Sequence, residues 1–349
     1  MRYGYRRKQL FLVIEARRYG LLASGLAVGF FLLSALIGHG WIAPDGFTTL
    51  LAIPTSTGNE SISAAELSKL VNPHLYGQVT AAELPWSSTP PARLRLLQEE
   101  HGAARLVAAF RTTLPRPLYE ELANVKRGAE LLAGTVIQPG ELFSINRALG
   151  PYTRARGYRD GPMYADGQLL RAEGGGVCKV ATNLYNAAVL AGLEIVERHP
   201  HSMMVSYIAP GRDAAVTFGG KDLRIRNNQQ APVIIWSEVH GHTLYVAIYS
   251  NYQPPKITWE HQLISRSSPP LHRRAARDLP PGEERVVFPG YDSVTVRTWI
   301  VIHHTDRPAE RRNLGVTYYR ALPRVIEYGP EYGPAAKPPS PRPASGGRG

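Results

Sequence analysis

The chain has 349 residues, 44% of them hydrophobic, with 33 Gly, 29 Pro and a formal net charge of +12. That length supports a true core and two or three domains, and the Gly and Pro content predicts short elements broken by turns. A single cysteine excludes a disulfide scaffold, and the absence of a Lys/Arg run excludes an obvious nucleic-acid groove, which leaves anionic lipid or cell-wall polymer as partners for the positive charge.

Residues 1–18 hold Arg2, Arg6, Arg7, Lys8, Arg17 and Arg18 against one acid, Glu15. Residues 19–38 follow without a charge, long enough at about 20 residues to cross the hydrocarbon core. The positive flank predicts a cytoplasmic N-terminus and an extracytoplasmic main domain, with Trp41 at the interface. A cleaved signal peptide is the competing reading. Its apolar region would be shorter, and residues 34–41 make a poor cleavage site. The expectation is therefore a single-pass anchor in a bacterial plasma membrane.

Residues 39–60 read as a linker and 61–106 as a partly helical region, with a capping box at Ser63 to Glu66 and breaks at Pro85 and Pro90-Pro91. A domain spans 107–250. Residues 124–132 read as a helix closed by Gly134. A second helix follows Cys178, with apolar Val180, Leu184, Ala187, Ala188 and Ala191 at helical spacing and Gly192 as its stop. Strands are expected at 205–208, 214–218, 223–225, 232–239 and 243–250, the last two joined as a hairpin through His240-Gly241-His242. Helices followed by a mainly antiparallel sheet predict an α+β fold. Residues 251–280 are polar and Pro-rich and read as a second linker. Residues 281–329 form a small β-rich extension, and 330–349 read as a disordered tail.

The chemistry concentrates at Gly174-Gly175-Gly176-Val177-Cys178-Lys179. Glycines permit close backbone approach, and a thiol at a helix N-terminus beside a lysine has its pKa lowered toward the reactive thiolate. Two candidate bases, His199 and His201, follow 21 and 23 positions later, and His201 leads more closely into the next expected strand. Asp213 or Glu197 could orient the imidazole. The bland alternative is a structural glycine turn around a small core cysteine. His199-x-His201 and His240-x-His242 could be metal ligands, but no tight ligand spacing accompanies them, so neither metal nor cofactor is expected.

The ordered series Phe143-Ser144-Ile145-Asn146, Gly150-Pro151-Tyr152-Thr153, Gly157-Tyr158, the glycine–cysteine stretch with Thr182-Asn183-Leu184-Tyr185-Asn186-Ala187, and His199-Pro200-His201 with Gly211-Arg212-Asp213 resembles the VanW-like family, named for an accessory protein of vancomycin-resistance clusters. The resemblance covers about residues 107–250. It implies a cell-envelope protein working at peptidoglycan. Two functions fit: a cysteine-dependent hydrolase or acyl-transferase on wall peptides, with Cys178, His201, Asp213 and Glu197 as catalytic candidates, or a non-catalytic wall-binding scaffold. It also marks Gly174, Gly175, Gly176, Lys179, Asn183, Tyr185 and His199 as expected substrate contacts. Lys179 and Ala181 stand where the family usually has Gln and Ser, which bears on any oxyanion hole built from those side chains.

Overall fold

The computed structural model describes Glu66 and residues 70–330, apart from 119, 166 and 167, and the side chains of 164–169. The expected basic segment, membrane anchor, first linker and nearly all of the C-terminal tail lie outside the described residues. Among the described residues no helix is long and apolar enough to cross a membrane.

In chain order the elements are β1 (Tyr76–Gln78), α1 (Ala92–His101), β2 (Arg105–Thr113), α2 (Glu121–Leu132), β3 (Thr135–Ile137), β4 (Leu142–Ser144), α3 (Ile145–Leu149), β5 (Asp160–Ala165), β6 (Gln168–Glu173), α4 (Cys178–Leu190), β7 (Glu194–Glu197) and β8 (Arg224–Arg226). Then come β9 (Val233–His240), β10 (Thr243–Ser250), β11 (Lys256–Ser267), β12 (Leu271–Ala275), β13 (Glu284–Phe288), β14 (Ser293–His303), β15 (Glu310–Tyr319) and β16 (Arg324–Tyr328). The architecture is mostly antiparallel sheet with few helices.

The central sheet runs β1-β2-β10-β9-β3, antiparallel at each pairing. Residues 107–110 of β2 are all buried, a continuous run that requires cover on both faces. One face carries Ala108, Phe110, Ile235, Val246 and Ile248 against α2 and α4. The other carries Ala109, Ile234, Trp236, Ala247 and Tyr249 against Trp86 and Leu94. Helix α4 is buried from Val180 to Leu190, so it is a core helix rather than a surface one. It ends where Gly192 takes φ +73° and Leu193 N–H returns to the Ala188 carbonyl.

Two short sheets flank this core: β4-β8-β7 and the β5–β6 hairpin. Beyond it, β11-β14-β15 and β12-β16-β13 form two three-stranded sheets, with β12–β16 the parallel pairing.

Several expectations change. Residues 251–280 are not a linker: they build β11 and β12, because Ile257, Trp259 and His261 alternate inward beneath a polar outer face. A domain boundary at 107 cuts through β2, and the partly helical region supplies β1 to the same sheet. Pro90-Pro91 introduces a helix, with Pro91 at the N-cap of α1. Residues 205–208 and 214–218 are not strands. The second segment instead lies along α4, where side chains stand in for a strand partner. Cys178 Sγ meets Val216 N–H at 3.4 Å, Thr182 Oγ1 accepts from Ala214 N–H at 3.0 Å, and Asn186 Nδ2 donates to the Arg212 carbonyl at 2.8 Å. Four helical residues rise ~6 Å and two extended residues ~6.6 Å, so helix positions i, i+4 and i+8 match alternate residues of an extended chain.

Candidate functional site

Cys178 opens α4 because the preceding glycines deliver the chain tightly. Gly176 has φ +105°. A Cβ on Gly175 would lie 2.3 Å from the Gly161 carbonyl carbon in β5, so only glycine fits there. The buried amide of Asn124 in α2 ties the turn down, donating to the Gly175 and Arg159 carbonyls at 2.8 Å each and accepting from Arg159 N–H at 2.7 Å. Lys179 and Val180 N–H groups donate to Gly176 and Val177, while among the described residues the Cys178 N–H has no backbone partner. That leaves one donor free beside a half-buried thiol.

The structure brings His201 and Asp213 to this thiol. His201 Nδ1 and its backbone N–H both meet Asp213 Oδ2, at 2.6 and 2.7 Å. The imidazole lies close enough to Cys178 for the two groups to shift each other's ionisation, while the hydrogen bonds of the thiol run to Val216, Sγ accepting from its N–H at 3.4 Å and donating to its carbonyl at 3.6 Å. Asp213 is wholly buried, and its Oδ1 accepts from Arg198 Nη2 at 2.9 Å and from the Tyr319 hydroxyl at 2.5 Å. Arg198 also donates from Nε to the Asp213 carbonyl at 2.7 Å.

Burial works against each charge here, and the partners overcome it. Desolvation pulls His201 down, but the hydrogen bond to Asp213 and the neighbouring Cys178 push it up to about 9. Desolvation lifts Asp213, but the His201 bond and charge, with Arg198, bring it down to about 2. Burial pushes the Cys178 thiol up, yet the neighbouring His201, the Val216 N–H and Lys179 outweigh it, and the net direction is down. The arrangement therefore shifts the thiol toward thiolate and the imidazole toward imidazolium, beside a buried carboxylate.

The remaining candidates lie elsewhere. Glu197 does not orient His201; its carboxylate takes His199 Nε2 at 2.9 Å and Asp222 N–H at 3.3 Å. His199 is thereby drawn to β7 and away from the thiol. Asn183 and Tyr185 are core residues rather than substrate contacts: Asn183 Oδ1 accepts from Thr112 in β2 at 3.2 Å, and Tyr185 packs against Trp259 and Arg198. They face inward because α4 is enclosed all round. Gly174 and Gly175 are buried against Tyr152 and Gly161 and offer no surface to a ligand. Lys179 sits beside the thiol, but its ammonium is paired with the buried Glu121 and lies over the Tyr207 ring at 4.5 Å. Ala181 is fully buried, so a hydroxyl there would point into the core. Tyr152 near Cys178 stands edge-on to the exposed Phe218 at 6.4 Å.

Sequence reading missed Arg198, Glu121, Tyr207 and Tyr319. The polar i, i+4, i+8 series Cys178, Thr182, Asn186 inside an apolar helix was a usable signal for the docked segment. Nothing local marks Tyr319, which lies 106 residues from its partner.

These side chains define a class: a thiol–imidazole–carboxylate site at the head of a buried helix. The family model described as VanW like protein matches residues 120–249, and the chain carries a VanW-like domain over that span. YoaR of Bacillus subtilis (strain 168) is 38% identical over 128 residues, covering 37% of this chain and 42% of that protein. The vancomycin B-type resistance protein VanW of Enterococcus faecalis (strain ATCC 700802 / V583) is 29% identical over 145 residues, covering 39% and 52%. The chain thus spans about half the length of these relatives or less. Among solved structures, an IgA1 protease G5 domain aligns at 18% identity over 22% of this chain and 94% of that one, with a TM-score of 0.15, too low to define a shared fold.

Proposed function

We propose that the protein is a cysteine-dependent acyl-transferase or hydrolase acting on peptides of the bacterial cell wall, from the outer side of a plasma membrane to which its N-terminal segment anchors it. The observation that carries the chemistry is His201 bonded to the buried Asp213 carboxylate and standing within electrostatic reach of the Cys178 thiol.

In this reading Cys178 Sγ attacks a peptide carbonyl carbon, and the free Cys178 N–H faces the developing oxyanion. Collapse breaks the C–N bond, and the leaving amine takes the proton carried by His201. The resulting thioester is resolved by water or by a second amine, whose proton returns to His201. Asp213 holds the imidazolium through both steps and does not itself take the proton. The wall as substrate is supported by the net charge of +12, suited to anionic polymer, and by similarity to the vancomycin B-type resistance protein VanW of Enterococcus faecalis.

The test is the pH dependence of Cys178 alkylation by iodoacetamide, together with intact mass after incubation with soluble wall peptides. The expected result is reactivity persisting well below the ordinary thiol range of about 8.5, and a hydroxylamine-sensitive acyl adduct absent in Cys178→Ser. An ordinary titration with no adduct, alongside salt-sensitive wall binding indifferent to Cys178→Ser, would favour the scaffold instead. Protease treatment of intact spheroplasts tests the placement: residues 70–330 should be digested, and full protection would reject it.

A further inference from the structure

The matched family segment ends at residue 249, yet the catalytic carboxylate is completed from beyond it. Tyr319 closes β15 in the C-terminal part of the chain and is 1% exposed. Its hydroxyl donates to Asp213 Oδ1 at 2.5 Å and accepts from Gly211 N–H at 2.6 Å. The hydrogen bonds on both sides of that oxygen fix its position, so one face of the carboxylate is held by Tyr319 and Arg198 while the other points at His201.

The same strand grips the loop at a second place. Arg320 N–H donates to the Ser202 carbonyl at 2.8 Å, one residue past the imidazole, and Met203 bridges to Arg320. Met204 packs with Val294, Val296 and Tyr319 in a small buried cluster of its own. On β14, Thr298 fills the space over Gly211, where an added Cβ would sit 2.0 Å from its hydroxyl oxygen. His201 and Asp213 are thus the two ends of a loop with no strand of its own, clamped along its length by β14 and β15.

We infer that Tyr319 is a positioning residue for the Cys178–His201–Asp213 site, and that the C-terminal β unit is part of the catalytic apparatus rather than an appended module. The inference rests on the thiol chemistry proposed above. It assigns Tyr319 a role through Asp213, with no contact to substrate. A phenol is suited to it because a single oxygen must donate to a carboxylate and accept from an amide while buried in an apolar cluster. Phenylalanine would fill the cluster but leave Gly211 N–H and one lone pair of Asp213 without partners.

The experiment compares iodoacetamide alkylation of Cys178 across pH in the full chain, with thermal unfolding measured in parallel, for Tyr319→Phe, Val294→Ala and His201→Ala. Tyr319→Phe should cut the rate at pH 6 by about tenfold while leaving it unchanged near pH 10, where the thiol ionises without help. Val294→Ala removes packing in the same cluster and should lower the melting temperature without moving the pH profile. If Tyr319→Phe melts lower but keeps the wild-type profile, or if Val294→Ala shifts the profile as much, the positioning role is overturned. If His201→Ala also leaves the profile unmoved, the thiol–imidazole reading falls with it; a shift in His201→Ala alone would overturn only the inference about Tyr319. Should Tyr319→Phe not fold, 3-fluorotyrosine at 319 keeps the shape and changes the acidity of the hydroxyl, and an unshifted profile there overturns the proposal equally.

Discussion

The two halves of the site are held in different ways. The cysteine half is fixed by backbone: a glycine turn pressed against Gly161, tied by Asn124, delivering Cys178 to the first turn of a core helix. The histidine–aspartate half is fixed largely by side chains: Thr182 and Asn186 from α4, Arg198 from just past β7, and Tyr319 from β15 grip a loop that belongs to no sheet and makes a single bridge, to Arg320. A backbone-built half can fail only by failing to fold. A half assembled from side chains can lose its electrostatics while the fold survives.

The largest expected effect strikes the second half. Asp213→Ala leaves Arg198 and His201 facing each other across an empty site and should cost about 3–5 kcal/mol in urea unfolding. It should also abolish Cys178 alkylation at pH 6. Gly175→Ala forces a carbon against the Gly161 backbone and should cost about 1–3 kcal/mol. The contrast lies in the profile: the pH midpoint of alkylation should stay unchanged in the Gly175 variant and move up in Asp213→Asn. Equal midpoints in the two variants would break the comparison.

Acid stability sharpens it further. Asp213 is lowered to about 2 from an ordinary value near 3.9, so its contribution is complete above about 4 and lost as pH falls through 2. The wild-type unfolding midpoint should decline across that window, and Asp213→Asn should flatten the decline. On the alkaline side the pair opposes itself. The His201 contribution fades as pH rises through about 9, while that of the lowered Cys178 thiol grows as pH rises toward its ordinary range. Cys178→Ala should therefore lower the His201 pKa, read by imidazole proton chemical shifts, but not to the ordinary value, because Asp213 still holds it up. The smallest effect belongs to His199→Ala, a half-buried neighbour two residues away, with a change within about 0.5 kcal/mol and an unaltered alkylation profile.

Legibility in the sequence follows the same division. The glycine turn, the cysteine, the start of α4 and the β9–β10 hairpin are local patterns, and each was readable from neighbours within a few positions. His201 and Asp213 were readable as residue types, but their convergence depends on a docked segment whose apolar alternation imitates a strand. Residues 251–280 misled because β11 buries one face only, so its polar outer residues dominate the composition. Asn183 and Tyr185 looked like site residues through their place in a family motif, whereas their side chains serve the core. Tyr319 and Glu121 depend wholly on tertiary contact and carry no local signature.

The position of β2 between β1 and β10 separates the unit of inheritance from the unit of folding. The segment that the family model matches begins at residue 120, after both β1 and β2. Excised alone, it would present β10 as a bare edge, with Leu244, Val246 and Ile248 stripped of Phe110 and its neighbours. Such a fragment should self-associate through that edge. In any relative that works as a separate protein, some other stretch of chain must occupy the same slot, whatever its sequence.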